Sequence, residues 1–176
     1  PRHLVLWYFE SVLAQKYDQL ISVVEQGTLD TVESHRLSLI NLAVELLSAK
    51  PEGESRLLTI LVNKLGDPDR KTTARVVKNL HLLLEEHAAM KGVVAKEVQQ
   101  FLFRHGLSAR AIYMGVCFLN QLKFHRGDAE LASRLTQTYF RIFEAHVNKS
   151  FSSESGKVKH RNKRGRPKQN HGAKHD

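Results

Sequence analysis

LVNKLGDPDRKTTARVVKNLHLLLEEHAAMKGVV, residues 61–94, is a helix, a sharp corner and a second, longer helix. Leu57, Leu58, Leu61, Val62 and Leu65 recur at threes and fours, so they share one helical face. Gly66-Asp67-Pro68-Asp69 stops that helix. Gly66 is expected to take the left-handed conformation that closes a helix C-terminus. Pro68 lacks the amide that an ongoing helix needs and drives Asp67 out of the helical region. It suits the first turn of the next helix, where Asp67 or Asp69 can satisfy free N–H groups. That helix is predicted to run to about Met90, with stripes Ala74–Val77–His81–Leu84–Ala88 and Val76–Leu80–Leu83–His87. Two adjacent, mostly apolar stripes mean packing on two sides, as in a stack of helical hairpins. Lys71, Arg75 and Lys78 share the remaining face, and Arg70 adjoins them.

The same periodicity extends in both directions. Leu4 to Gln26 carries Leu6, Phe9, Leu13, Tyr17, Leu20 and Val24 at helical spacing, widened by Leu4, Trp7 and Ile21, and Gly27 ends it. Asp30 or Thr31 is expected to cap a helix reaching about Lys50. Pro51-Glu52-Gly53-Glu54-Ser55 is a loop, with Ser55 capping the helix into the corner. Downstream, Lys91 to Arg104 is helical, and Ser108 caps a helix from Ala109 to Phe124 that is the most apolar of all and so is expected to be central. Gly115 lies inside it at a cost of about 1 kcal/mol relative to Ala, which points to a close helix crossing. Asp128 caps a last helix, Ala129 to Asn148. No strand alternation is present. The expectation is all-α, a HEAT-like α-solenoid of about seven helices over residues 1–150.

From Phe151 the composition changes. Only Val158 and Ala173 are apolar after it, and eight Lys and Arg stand against Glu154 and Asp176. Of the net charge of +9, this stretch holds +6. Residues 151–176 therefore read as a disordered basic tail, because they bury too little to offset their ordering entropy. A near-balanced body with a cationic tail fits a protein that meets nucleic acid. No apolar run is long enough to cross a membrane. The single cysteine, Cys117, allows no internal disulfide and reads as a small buried hydrophobe in a reducing compartment. Pro1 already lies in an apolar segment, as expected of a piece of a longer protein.

Four motifs, LVNKLGDPDRK, MKGVVAKEVQQFLFR, CFLNQL and AELASRLTQTYFRIFE, resemble the CCAAT-binding-factor family in order and spacing. The resemblance covers about 57–144, and 4–50 is consistent with it. It implies a HEAT-like scaffold in the nucleus and nucleolus that acts in early assembly of the large (60S) ribosomal subunit. The implied partners are pre-ribosomal particle proteins, among them a second nucleolar complex protein, and precursor ribosomal RNA. The family name records an association with promoter DNA. Family members continue past the position of Asn148 into further helices. Here the chain passes into the basic tail, as expected of a truncated form, a short isoform or a fragment.

No catalytic constellation stands out, so no enzyme, cofactor or metal site is expected. There is no phosphate-binding Gly-rich loop and no His-Glu-x-x-His, and the ten histidines are scattered. Trp7, Tyr8 and Phe9 start a helix and are expected to pack on a neighbour rather than stack on bases. Where that neighbour is missing, they form an exposed sticky patch. Two candidate nucleic-acid sites remain. Lys163-Arg164-Gly165-Arg166-Pro167-Lys168 resembles an AT-hook core, in which both arginines lie in a narrow A·T-rich minor groove. Its simpler reading is a polybasic tail that needs only charge. The strip Arg70, Lys71, Arg75 and Lys78 is contiguous on one helical face, is expected to be interrupted by no carboxylate, and suits phosphate contact. The expected function is non-catalytic scaffolding, and the alternative is DNA-binding transcriptional regulation through the tail.

Overall fold

The computed structural model describes the backbone of residues 2–50 and 52–161, and side chains as far as residue 147. Among the described residues there are seven α-helices, three 3-10 turns and no strand, so the protein is all-α. One unit holds α1 (Arg2–Gly27), α2 (Glu33–Ala49), α3 (Glu54–Asn63), α4 (Arg70–Glu86), α5 (Lys91–Leu102) and α6 (Ala109–Asn120). The other begins at Arg126 and holds α7 (Ala129–Arg161).

The core centres on α3. Five of its ten residues, Leu57, Leu58, Ile60, Leu61 and Val62, are buried. Each such side chain stabilises by roughly 1.5–3 kcal/mol relative to exposure. α1, α2 and α5 all pack on α3. The sequence placed α6 at the centre instead. Its Phe118 and Leu119 are buried, but Tyr113 stands in solvent because α6 packs chiefly on α5 and the Lys64–Gly66 turn. Cys117 is half-buried.

Neighbours in space are often two helices apart in the chain. α2 lies beside α4, and α3 beside α5. A polar bond marks each such step. Arg56 of α3 donates to Glu25 of α1 at 2.8 Å and to Ser22 at 3.0 Å. Asn79 of α4, nearly buried, donates to Asn41 of α2 at 3.0 Å. Thr59 of α3 donates to Glu97 of α5 at 2.9 Å. His81 of α4 meets Gln121, just past α6, at 2.9 Å and packs its ring on Phe118.

Several local expectations are corrected. Gly66 has no positive φ; a Cβ there would meet Ala111 and Phe101 at 3.3 Å, so its smallness permits the close approach of α5 and α6. Left-handed geometry falls at Gly53, φ 69°, and at Gly106, φ 79°, and Gly53 rather than Ser55 precedes α3 as N-cap. At α2 the N-cap is Val32, whose amide donates to Asp30 at 2.8 Å. α4 stops at Glu86 because His87 leaves helical geometry at φ −123°, ψ 68°. Of its two stripes, Val76, Leu80 and Leu83 are buried, while Ala74, His87 and Ala88 are exposed. α6 ends at Asn120 rather than near Phe124. Gly115 does mark a close crossing: a Cβ would stand 2.8 Å from Leu102 of α5.

The largest correction concerns α1. Of the stripe Leu6, Phe9, Leu13, Tyr17, Leu20 and Val24, only Val24 is buried, joined by Ile21. α1 has 26 residues, whereas α2 has 17 and α3 has 10, so those two cover only its C-terminal half. In the second unit, α7 is helical to Arg161, past the end expected at Asn148; no proline follows the start of α7 until Pro167. Of the tail, residues 162–176 lie outside the described residues.

Candidate nucleic-acid interface

The corner between α3 and α4 is built on carboxylates. Asp69, not Pro68, is the last residue before α4, and its side chain accepts from the amides of Lys71 at 3.2 Å and Thr72 at 3.0 Å. It also accepts from the Thr72 hydroxyl at 2.6 Å and from Arg36 at 3.3 Å. These donors, Thr72 first, hold the Asp69 carboxyl at about 2, below the ordinary 3.8. Asp67 accepts from the Asp69 amide at 2.9 Å and pairs with Lys64 at 3.6 Å, both side chains being nearly buried. Burial lowers the Lys64 pKa below the ordinary lysine value, and Asp67 opposes that shift.

The corner aims the basic strip outward. Arg70, Lys71, Arg75 and Lys78 are all exposed. The first turn of α4 contains no acid of its own, and the Asp69 carboxylate that caps it offsets the positive end of the helix dipole beside Arg70 and Lys71. A carboxylate from another helix also reaches the strip: Glu33 of α2 lies 3.3 Å from Lys71. The pair is exposed, and such a pair is worth about 0–1 kcal/mol, so it leaves the strip cationic. Two further arginines join the corner, neither legible beforehand. Arg36 bridges Thr72, Asp69 and the Asp30 carbonyl. Exposed Arg110 donates to the Pro68 carbonyl at 2.5 Å. They stand 33 and 42 residues from their corner partners, and no local periodicity spans that gap.

Lys163, Arg164, Arg166 and Lys168 lie outside the described residues. Among the described residues, no three His, Cys, Asp or Glu side chains group in a way that would hold a metal ion, and no helix is long and apolar enough to cross a membrane. Among the described residues the geometry thus defines an all-helical protein with a carboxylate-capped corner that displays a cationic strip.

No protein-family model matches the chain. It is 40% identical over 148 residues to human CCAAT/enhancer-binding protein zeta, a match covering 84% of this chain and 14% of that protein. It is 38% identical over 144 residues to ribosome biogenesis protein NOC1 of Chaetomium thermophilum, covering 81% and 14%. Nucleolar complex protein 1 of Drosophila melanogaster is 36% identical over 143 residues, covering 81% and 12%. The chain belongs to the CCAAT-binding-factor family. It spans about an eighth to a seventh of the length of these relatives.

Proposed function

We propose that this chain is a non-catalytic scaffold segment in nucleolar assembly of the large (60S) ribosomal subunit. The observation that carries this reading is 36–40% identity, over four-fifths of the chain, to proteins named nucleolar complex protein 1, ribosome biogenesis protein NOC1 and CCAAT/enhancer-binding protein zeta. In this reading the helices form a HEAT-like solenoid. The side-by-side placement of α2 with α4 and of α3 with α5 supports it, because stacked hairpins put helices two apart in contact. The hairpins present surfaces to pre-ribosomal proteins, among them a second nucleolar complex protein. The strip Arg70–Lys71–Arg75–Lys78 contacts pre-rRNA phosphates.

The test is purification of the chain from nuclear extract with and without nuclease. Large-subunit precursor rRNA and assembly factors are expected, with the protein partners surviving nuclease. Replacing the four strip cations by alanine should lower the salt slope of RNA binding by about 3. An unchanged slope removes the strip from the interface.

The name of the human relative, CCAAT/enhancer-binding protein zeta, favours a second reading, in which the chain meets DNA, and the AT-hook-like run Lys163, Arg164, Arg166 and Lys168 is the contact proposed for it, on A·T-rich duplex. Arg164→Lys with Arg166→Lys keeps the charge. Undiminished preference for A·T-rich duplex in that variant removes this reading.

A further inference from the structure

We propose, resting on the pre-rRNA reading above, that the cavity between the end of α4 and the loop after α6 takes one unstacked base of single-stranded RNA, the base inside and its phosphates at the rim. The cavity measures about 230 Å³. That is smaller than the roughly 300–1,000 Å³ that hold a whole small molecule, and it suits one flat ring system. His81, Leu84 and Glu85 of α4 form one wall, because spacings of three and four put them on one side of the helix. Ala88, in the turn that follows, also lines it, and the loop after α6 supplies Leu122 and Lys123.

The interior fits a base. Leu122 is buried and Leu84 half-buried, and with Ala88 they offer apolar contact to a ring. His81 adds an aromatic surface, held by its contact with the buried Phe118 ring at 5.0 Å between centroids. Side chains of these kinds are what unstacked RNA bases pack on. Groups for the base edge are present too. His81 Nε2 stands 2.9 Å from Gln121 Oε1, an acceptor, so the ring carries its proton on Nε2. Gln121 then offers its NH₂ group as donor, and Glu85 offers a carboxylate as acceptor.

The charge selects the ligand. The lining carries Lys91, Lys123 and two histidines against the single carboxylate of Glu85. Glu85 lies 3.8 Å from Lys123 and both are exposed, so that pairing is weak and leaves Lys123 open to phosphate. An acidic side chain in the cavity would lie beside Glu85 and against leucine. A base is uncharged and keeps its phosphates among the rim cations. The cavity also continues the strip. Lys78 and His81 are three residues apart, about 4.5 Å along the axis, and so are neighbours on the surface of α4. A strand whose phosphates run along Arg70, Lys71, Arg75 and Lys78 reaches the cavity without leaving that helix.

Fluorescence anisotropy of the full 176-residue chain tests this, with a mixed-sequence single-stranded RNA of about 12 nucleotides and its abasic counterpart, which keeps every phosphate. Wild type should bind the strand with bases roughly 5- to 150-fold more tightly, the yield of one stacked base. Ala88→Phe fills the cavity with a ring of its own. Ala88 is exposed, so helix content by circular dichroism should be unchanged while the two affinities become equal. The four-alanine strip variant should weaken both strands alike and keep their ratio, so strip and cavity read out separately. The same RNA carrying thiouridine should photocross-link to the peptide of His81 or to that of Gln121–His125, and cross-links found only elsewhere overturn the proposal. Equal binding of the two strands by wild type overturns it too, while a steep salt slope in that case keeps the strip in place. A preference for bases that survives Ala88→Phe also overturns it. Oligoglutamate that binds wild type but not Ala88→Phe overturns it in favour of an acidic protein partner. Binding of neither RNA removes the pre-rRNA reading and this site with it.

Discussion

α3 and the first half of α1 both carry leucine and other large apolar residues at helical spacing, yet they end in opposite environments. α3 buries Leu57, Leu58, Ile60, Leu61 and Val62 within ten residues. α1 leaves Leu6, Phe9 and Leu13 more than half exposed. The difference does not lie in the helices themselves. α3 is short and has α1, α2 and α5 around it, whereas α1 extends past the helices that cover it. Amphipathicity announces that a face is apolar; only the neighbours decide whether water leaves it.

The strongest way to break this comparison is a matched pair of truncations. Leu61 is fully buried, so Leu61→Ala should cost about 2–5 kcal/mol in urea denaturation. Leu13 is more than half exposed, so Leu13→Ala should stay within about 0.5 kcal/mol. Equal losses would mean that α1 is covered in solution. A smaller loss is expected where α5 crosses α6. Gly115→Val puts methyl groups where Leu102 already stands, and it should cost about 1–3 kcal/mol in the same assay.

The corner sharpens the comparison by pH. The Asp69 carboxyl sits at about 2 rather than 3.8, so its contribution to stability is fully present above 3.8 and is lost as pH falls through about 2. Asp69→Asn should flatten that part of the stability profile in acid melts, and a profile unchanged from wild type would assign the acid loss to other carboxylates. The smallest effect belongs to the outermost pair. Glu33→Ala should shift stability by less than about 0.5 kcal/mol, read by thermal melting, because both partners are exposed.

Local chemistry was the legible part. Ser108 does cap α6, accepting from the Ala111 amide at 3.1 Å, because hydroxyl capping depends on residues three apart. Asp67, Pro68 and Asp69 do break the helix, for the same short-range reason. Gly115 was legible as a crossing because an interior glycine weakens a helix and needs compensation elsewhere. Gly66 misled, since a glycine before a proline corner looks like a left-handed cap until Phe101 and Ala111 are seen against it. The exposure of Arg70, Lys71, Arg75 and Lys78 followed from the stripe pattern on their own helix. The approach of Glu33, Arg36 and Arg110 did not, because all three arrive from other helices.

By itself the sequence determined that the protein is all-α, where its principal corner falls and which face of α4 is cationic. All three rest on hydrogen bonds and side-chain spacings of four residues or fewer. The tertiary structure alone decided that α3 rather than α6 is the centre, that α1 keeps a bare apolar stripe, and that arginines from α2 and α6 lock the Asp-Pro corner. Burial and long-range ion pairs depend on which surfaces meet, and contacts between residues 33 to 42 apart leave no periodic mark in the chain.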